Sequence, residues 1–168
     1  MKLQQVASHV RKAVDDFNMI QEGDRIAIGI SGGKDSLTLL YALSSLRLYY
    51  PKHFEIVAVT VDLGFDNLNL DKIIELCEQL KVEYKIVKTD IGKIVFEDRK
   101  ESNPCALCAK MRKGALNEAM KEIGCNKIAY AHHMDDVVET MMLSLLYEGR
   151  FHTFSPVTYL DDTGLTVI

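Results

Sequence analysis

Arg25-Ile26-Ala27-Ile28-Gly29-Ile30-Ser31-Gly32-Gly33-Lys34-Asp35-Ser36-Leu37-Thr38-Leu39-Leu40 is the stretch that decides the fold. An apolar run leads into a glycine turn, and a helical pattern continues through Leu43. The order is strand, tight turn, helix. A helix N-terminus offers unpaired N–H groups and the positive end of the helix dipole. Adjacent glycines let the backbone close on an anion without Cβ clashes. Lys34 adds a mobile positive charge, and the Ser31 and Ser36 hydroxyls add donors. The segment is a cradle for phosphate groups. It is not the P-loop of kinases and GTPases, which needs a glycine where this chain has Ile28 and Ser or Thr where it has Asp35.

Outward from that stretch, the pattern repeats. Val6, Val10, Val14 and Phe17 recur at helical spacing and predict an amphipathic helix over residues 2–18. Glu55–Val61 is a nearly continuous apolar run, as in a buried parallel strand. A helix over 69–80, a strand over 84–87, a helix over 105–123, a strand over 127–131 and a helix over 134–148 follow. Alternating strands and helices predict an α/β fold, a doubly wound parallel sheet with helices on both faces. Ligands of such sheets bind at the carboxyl ends of the strands. The cradle, Asp62 and the segment after Ala131 all fall there. Leu165–Ile168 looks like the start of a strand, which predicts a single domain over 1–168 cut short at its C-terminus.

The 168 residues suffice for one domain with a proper core. No apolar run is long enough to span a bilayer, and the N-terminus lacks a signal-peptide core. No membrane partner is expected, and four cysteines point to a reducing cytoplasm and to metal or catalytic chemistry. A net charge of −4 argues mildly against a nucleic-acid partner, although Lys93, Arg99, Lys100, Lys110, Arg112 and Lys113 are candidates for a local basic face.

Two further segments carry chemistry. In Asn103-Pro104-Cys105-Ala106-Leu107-Cys108, Asn103 is a good N-cap and Pro104 suits the first helical position. Cys105 and Cys108 then share one face of the first turn, where the dipole and nearby basic residues favour thiolates. Zinc is the alternative metal, but it needs four ligands and there is no second CxxC. Cys77 falls in an apolar helical pattern and Cys125 at a helix end, so both read as structural. His132-His133-Met134-Asp135-Asp136 can hold Mg²⁺ or steer phosphates, with one of the two aspartates serving as a helix N-cap. Val138, Met141, Met142 and Leu145 read as a core stripe.

Ser31–Ser36 resembles the SGGxDS loop of the N-type ATP pyrophosphatases, the PP-loop superfamily, whose fold is the adenine nucleotide alpha hydrolase-like one. With the Pro104-Cys105-x-x-Cys108 helix start and His132-His133-x-Asp135-Asp136-x-x-Glu139-Thr140, the chain resembles the tRNA 2-thiocytidine synthetases. The resemblance implies an ATP-dependent tRNA sulfurtransferase. It implies ATP on residues 31–36, with Lys34 neutralising the leaving pyrophosphate. Mg²⁺ is implied at Asp35 or Asp135, and the nucleoside beside Gly29, Ile30, Asp62 and His132. A cytidine of the anticodon loop is implied to be adenylated at C2 and then thiolated. Cys105 and Cys108 are implied to hold an iron–sulfur cluster. The family takes a third cluster cysteine from a later segment, so weak or no cluster binding is expected unless Cys125 or a partner chain substitutes. A sulfur donor protein or sulfide, and a homodimer, are implied partners. Two readings stay open beside it: a PP-loop enzyme that adenylates another tRNA base or a small molecule, and an ATP-binding domain without turnover.

Overall fold

The computed structural model describes residues 3–65, 69–98 and 103–168. Its elements are α1 (Leu3–Asp16), β1 (Asp24–Gly29), α2 (Lys34–Leu46), β2 (Phe54–Asp62), α3 (Asp71–Leu80), β3 (Glu83–Lys88), α4 (Ile91–Lys93), α5 (Pro104–Ile123), β4 (Lys127–Ala129), α6 (Met134–Leu143), β5 (Thr158–Leu160) and β6 (Leu165–Val167). Wider π-type turns extend α4 over Ile94–Asp98 and α6 over Ser144–Glu148. Among the described residues the strands form one sheet in the order β3-β2-β1-β4-β6-β5. Every neighbouring pair is parallel except β5 with β6.

The apolar strands supply two cores because successive side chains point to opposite faces. Ile26, Ile28, Ile56 and Ala58 pack with Val14 of α1, Leu40 and Leu43 of α2, and Ile73 and Cys77 of α3. Ala27, Val57, Val59 and Ile128 pack on the other face with Leu116 and Met120 of α5. This is the doubly wound arrangement expected from the alternation. A smaller core joins Ile91 and Val95 to Cys108, against Val61 and Leu63.

The structure differs from the sequence expectations in four places. The fourth strand ends at Ala129 rather than residue 131, although the Tyr130 N–H still donates to the Ile168 carbonyl at 3.1 Å. The α4 segment and β5 were not expected. β5 is three residues long, and Gly164 (φ +72°) turns it back into β6, so this edge is an antiparallel hairpin. The expected core stripe on α6 is not a core. No residue of α6 itself is buried, and Val138, Met142 and Leu145 are each nearly half exposed. Periodicity revealed the apolar stripe correctly but could not tell whether anything packs on it. No helix among the described residues is long and apolar enough to cross a membrane.

Candidate nucleotide site and cysteine helix

The cradle forms at the carboxyl end of β1. The Ile30 N–H donates to the Val59 carbonyl at 2.8 Å, which prolongs the ladder by one residue before the chain turns. Gly32 has φ +81°, a conformation that disfavours any side chain. Gly33 is the N-cap of α2 with an extended backbone, and no side chain caps the helix. The first-turn N–H groups are therefore left for an anion. Lys34 and Asp35 lie exposed on that turn.

Ser36 has a different place from the one its sequence position suggests. It is buried, and its Oγ donates to the Gly33 carbonyl at 2.9 Å. The same oxygen accepts from the Ser31 N–H at 3.3 Å. Ser31 Oγ in turn accepts from the Gly33 N–H at 3.3 Å. Ser36 braces the loop from inside, and Ser31, exposed, is the hydroxyl that faces out.

The other expected residues follow the carboxyl ends of the neighbouring strands. A Cβ on Gly29 would lie 3.3 Å from the Tyr130 ring, so Tyr130 covers the end of β1. Asp62 closes β2; its Oδ1 accepts from the Gly64 N–H at 2.9 Å, and its carbonyl accepts from Thr89 Oγ1 at 2.7 Å. His132 is exposed, with ring centroids 5.9 Å from Tyr130 and 5.0 Å from Phe154. Of the two aspartates, Asp136 is the capping one: its Oδ2 accepts from the His133 N–H at 2.7 Å. That bond, with the neighbouring His133 and His132 rings, holds the Asp136 carboxyl below the usual range although slight desolvation pushes it up. Asp135 is left exposed on the same turn. Sequence reasoning missed Tyr130 and Phe154 as the walls of His132, because ring contacts between separate loops leave no local signal.

The cysteine helix starts as expected, with Asn103 Oδ1 accepting from the Ala106 N–H at 3.2 Å and Pro104 in the first turn. Cys105 is exposed, whereas Cys108 is buried against Ile91 and Val95. Cys77 is buried inside the core of α3, and burial pushes its thiol up. Cys125 cannot stand in as a third ligand. It is buried beside Arg25 at the amino end of the sheet, and burial pushes its thiol up despite the pull of that guanidinium. Arg25 lies near the amino end of β1 and Ile30 just past its carboxyl end, about 16 Å apart at the rise of a strand. Among the described residues no three His, Cys, Asp or Glu side chains gather to hold a metal ion. Lys93, Lys110, Arg112 and Lys113 are exposed; Arg99 and Lys100 lie outside the described residues.

A glycine cradle at a helix N-terminus, on the carboxyl edge of a doubly wound sheet, defines a nucleotide-phosphate-binding α/β domain. A PP-loop domain model matches residues 2–156, and the chain belongs to the PP-loop family. It is 44% identical over 158 residues to a tRNA-cytidine(32) 2-sulfurtransferase of Syntrophotalea carbinolica, covering 94% of this chain and 61% of that protein. It is 37% identical over 169 residues to the enzyme of that name from Geobacter sulfurreducens, covering 100% of this chain and 66% of the relative. The chain thus spans a little over three fifths of the length of these curated relatives. Among solved structures, the U34-tRNA thiolase NcsA from Methanococcus maripaludis with its [4Fe-4S] cluster superposes with a TM-score of 0.71 at 29% identity, covering 88% of this chain and 50% of that one.

Proposed function

We propose that the protein is the ATP-activating part of a tRNA sulfurtransferase that thiolates a cytidine. The observation that carries the reading is the uncapped first turn of α2 behind Gly32 and Gly33, at the same sheet edge as Asp62 and the cysteine helix. The similarity to cytidine sulfurtransferases supports the acceptor.

In this reading the N–H groups of Gly32 and of residues 34–36, with the Lys34 ammonium, take the β and γ phosphates of ATP. Asp35 or Asp135 shares a Mg²⁺ ion with them. The C2 oxygen of the base attacks the α phosphorus and the α–β bridge breaks. Pyrophosphate leaves into the positive cradle, and the base oxygen is left bonded to AMP. Hydrosulfide, supplied free or released by a carrier protein, then adds at C2, the C2–O bond to AMP breaks, and loss of the sulfur's proton leaves the thiocarbonyl. Lys34 and the helix N-terminus act by neutralising charge that grows on the leaving group, which is where electrostatic stabilisation is most effective. Exposed Cys105 and buried Cys108 suit two ligands of an iron–sulfur cluster, a group that would supply sulfur when bound. The described residues place no third ligand beside them, so no step is derived through it.

The test is an anaerobic incubation with Mg²⁺, α-labelled ATP and tRNA lacking thiolation. AMP that forms only with tRNA is expected. ADP would overturn the α–β cleavage, and AMP formed equally without tRNA would overturn the acceptor.

A further inference from the structure

Beside the expected site stands a feature that the reaction above does not use. Phe65 follows β2 by three residues and is 53% exposed; Phe96 follows α4 and is 47% exposed. Their ring centroids are 5.8 Å apart with planes inclined at 51°, an aromatic contact that leaves ring surface open to solvent.

The backbone is built to hold this pair outward. Gly64 has φ +79°, and a Cβ there would lie 2.8 Å from the Thr89 carbonyl. The Gly92 N–H donates to the Leu63 carbonyl at 2.7 Å. A Cβ on Gly92 would lie 2.8 Å from Phe65 Cε1. Two glycines therefore let the Leu63–Phe65 loop press onto the start of α4, and Phe65 lies across Gly92. On the other side, Val95 precedes Phe96 and is fully buried with Ile91 and Cys108. The pair is fixed to the same small core that seats a cysteine of the proposed sulfur site. In the strand order β3-β2-β1, it stands over the β2–β3 side, and the phosphate cradle stands over β1.

We propose that Phe65 and Phe96 form a stacking shelf for an unpaired base of the RNA acceptor; this rests on the reading of the protein as acting on tRNA. Single-stranded bases are commonly held by stacking on aromatic side chains, and such stacking tolerates any base because each has a π-face. The shelf is carried by the segment that packs on the cysteine helix, one strand over from the cradle, and this link to the proposed sulfur site favours the RNA over the adenine of ATP. Lys93 is exposed on the same short helix and can meet an RNA phosphate, while Asp62 and Glu97 keep the immediate surroundings from being uniformly basic.

The chain contains no tryptophan, so Phe96→Trp introduces a single indole. Titration of that variant with unmodified tRNA is expected to quench its fluorescence, and magnesium ATP alone is expected to leave it unchanged. Quenching by ATP without quenching by tRNA would assign the shelf to adenine and overturn the proposal. Binding of tRNA without quenching would overturn it while leaving the proposed reaction standing. Failure of the unaltered protein to bind tRNA would remove both. As a second arm, Phe65→Leu is expected to weaken tRNA binding on the order of tenfold, with ATP affinity and Tm unchanged, and Phe65→Tyr to restore it. Unaltered tRNA affinity in Phe65→Leu would also overturn the shelf.

Discussion

Ser36 and Lys34 stand two residues apart in the first turn of α2, one buried and one exposed, and their substitutions separate two kinds of loss. The Lys34 side chain is exposed on the first turn of α2, so Lys34→Ala removes charge without removing packing. Pyrophosphate release is expected to fall below detection with Tm unchanged. Ser36→Ala instead takes away the acceptor of the Ser31 N–H and the donor to Gly33. A lost buried hydrogen bond costs about 1 kcal/mol of stability. The loosened cradle is expected to raise the KM for ATP more than it lowers kcat. Steady-state AMP formation with thermal melts checks both, and equal effects of the two variants would refute the bracing role. At the cysteine helix, Cys105→Ser is expected to keep tRNA-dependent AMP formation and lose sulfur insertion. Thiolated nucleoside measured after digestion of the tRNA reads this out, and normal thiolation would remove Cys105 from the mechanism.

At the scale of elements, the Leu63–Phe65 segment after β2 and the turn before α4 depend on two close backbone approaches. Gly92→Ala would place a methyl 2.8 Å from the Leu63 carbonyl as well as against Phe65. Backbone cannot give way there as a flexible side chain can, so a destabilisation of about 1–3 kcal/mol is expected. Urea unfolding checks it, and a variant as stable as the parent would mean that the loop reseats freely. Most of the sheet and helix pattern was legible in the sequence because it is local: Ile26 to Ile30 and the glycines after them announce strand and turn without reference to the rest of the chain. The same holds for Asn103 and Pro104, whose capping geometry is met as expected. Other features were not legible. Thr158–Leu160 is too short to carry a period. Asp135 and Asp136 are adjacent, and only the folded turn shows that Asp136 caps His133. The stripe on α6 shows which residues are apolar, but what covers them is a question of tertiary packing.

Across the whole molecule, the proposed chemistry and the anchoring occupy opposite ends of the sheet. The cradle, Asp62 and the His132–Asp136 turn sit at the carboxyl ends, and a buried ion pair ties the amino ends. Lys127 Nζ lies 2.7 Å from Asp24 Oδ2 and donates to the Met19 carbonyl, also at 2.7 Å. Asp24 Oδ2 accepts from the Gln21 N–H at 2.6 Å and Oδ1 from Asn126 Nδ2 at 2.7 Å. The network joins the turn after α1 to β1 and β4, and no local pattern could reveal it. Burial alone would push the Asp24 carboxyl up, but the Gln21 N–H and then Lys127 and Asn126 outweigh it and hold the group below its ordinary value. The sign follows from linkage: a carboxyl lowered in the folded state binds protons more readily when unfolded. Its stabilisation is present above the unfolded value of about 3.9 and is lost as pH falls through the folded one. Asp24→Asn leaves Lys127 buried without its counter-charge, and breaking such a pair costs about 3–5 kcal/mol. Urea midpoints at a series of pH values should therefore show a lower plateau for the variant at neutral pH and a shallower fall below pH ~4. The distance to the cradle implies that whatever variant remains folded binds ATP as the parent does. A neutral-pH midpoint equal to the parent's would refute the anchoring role of the pair, and a parallel loss of ATP affinity would refute the separation of the two ends.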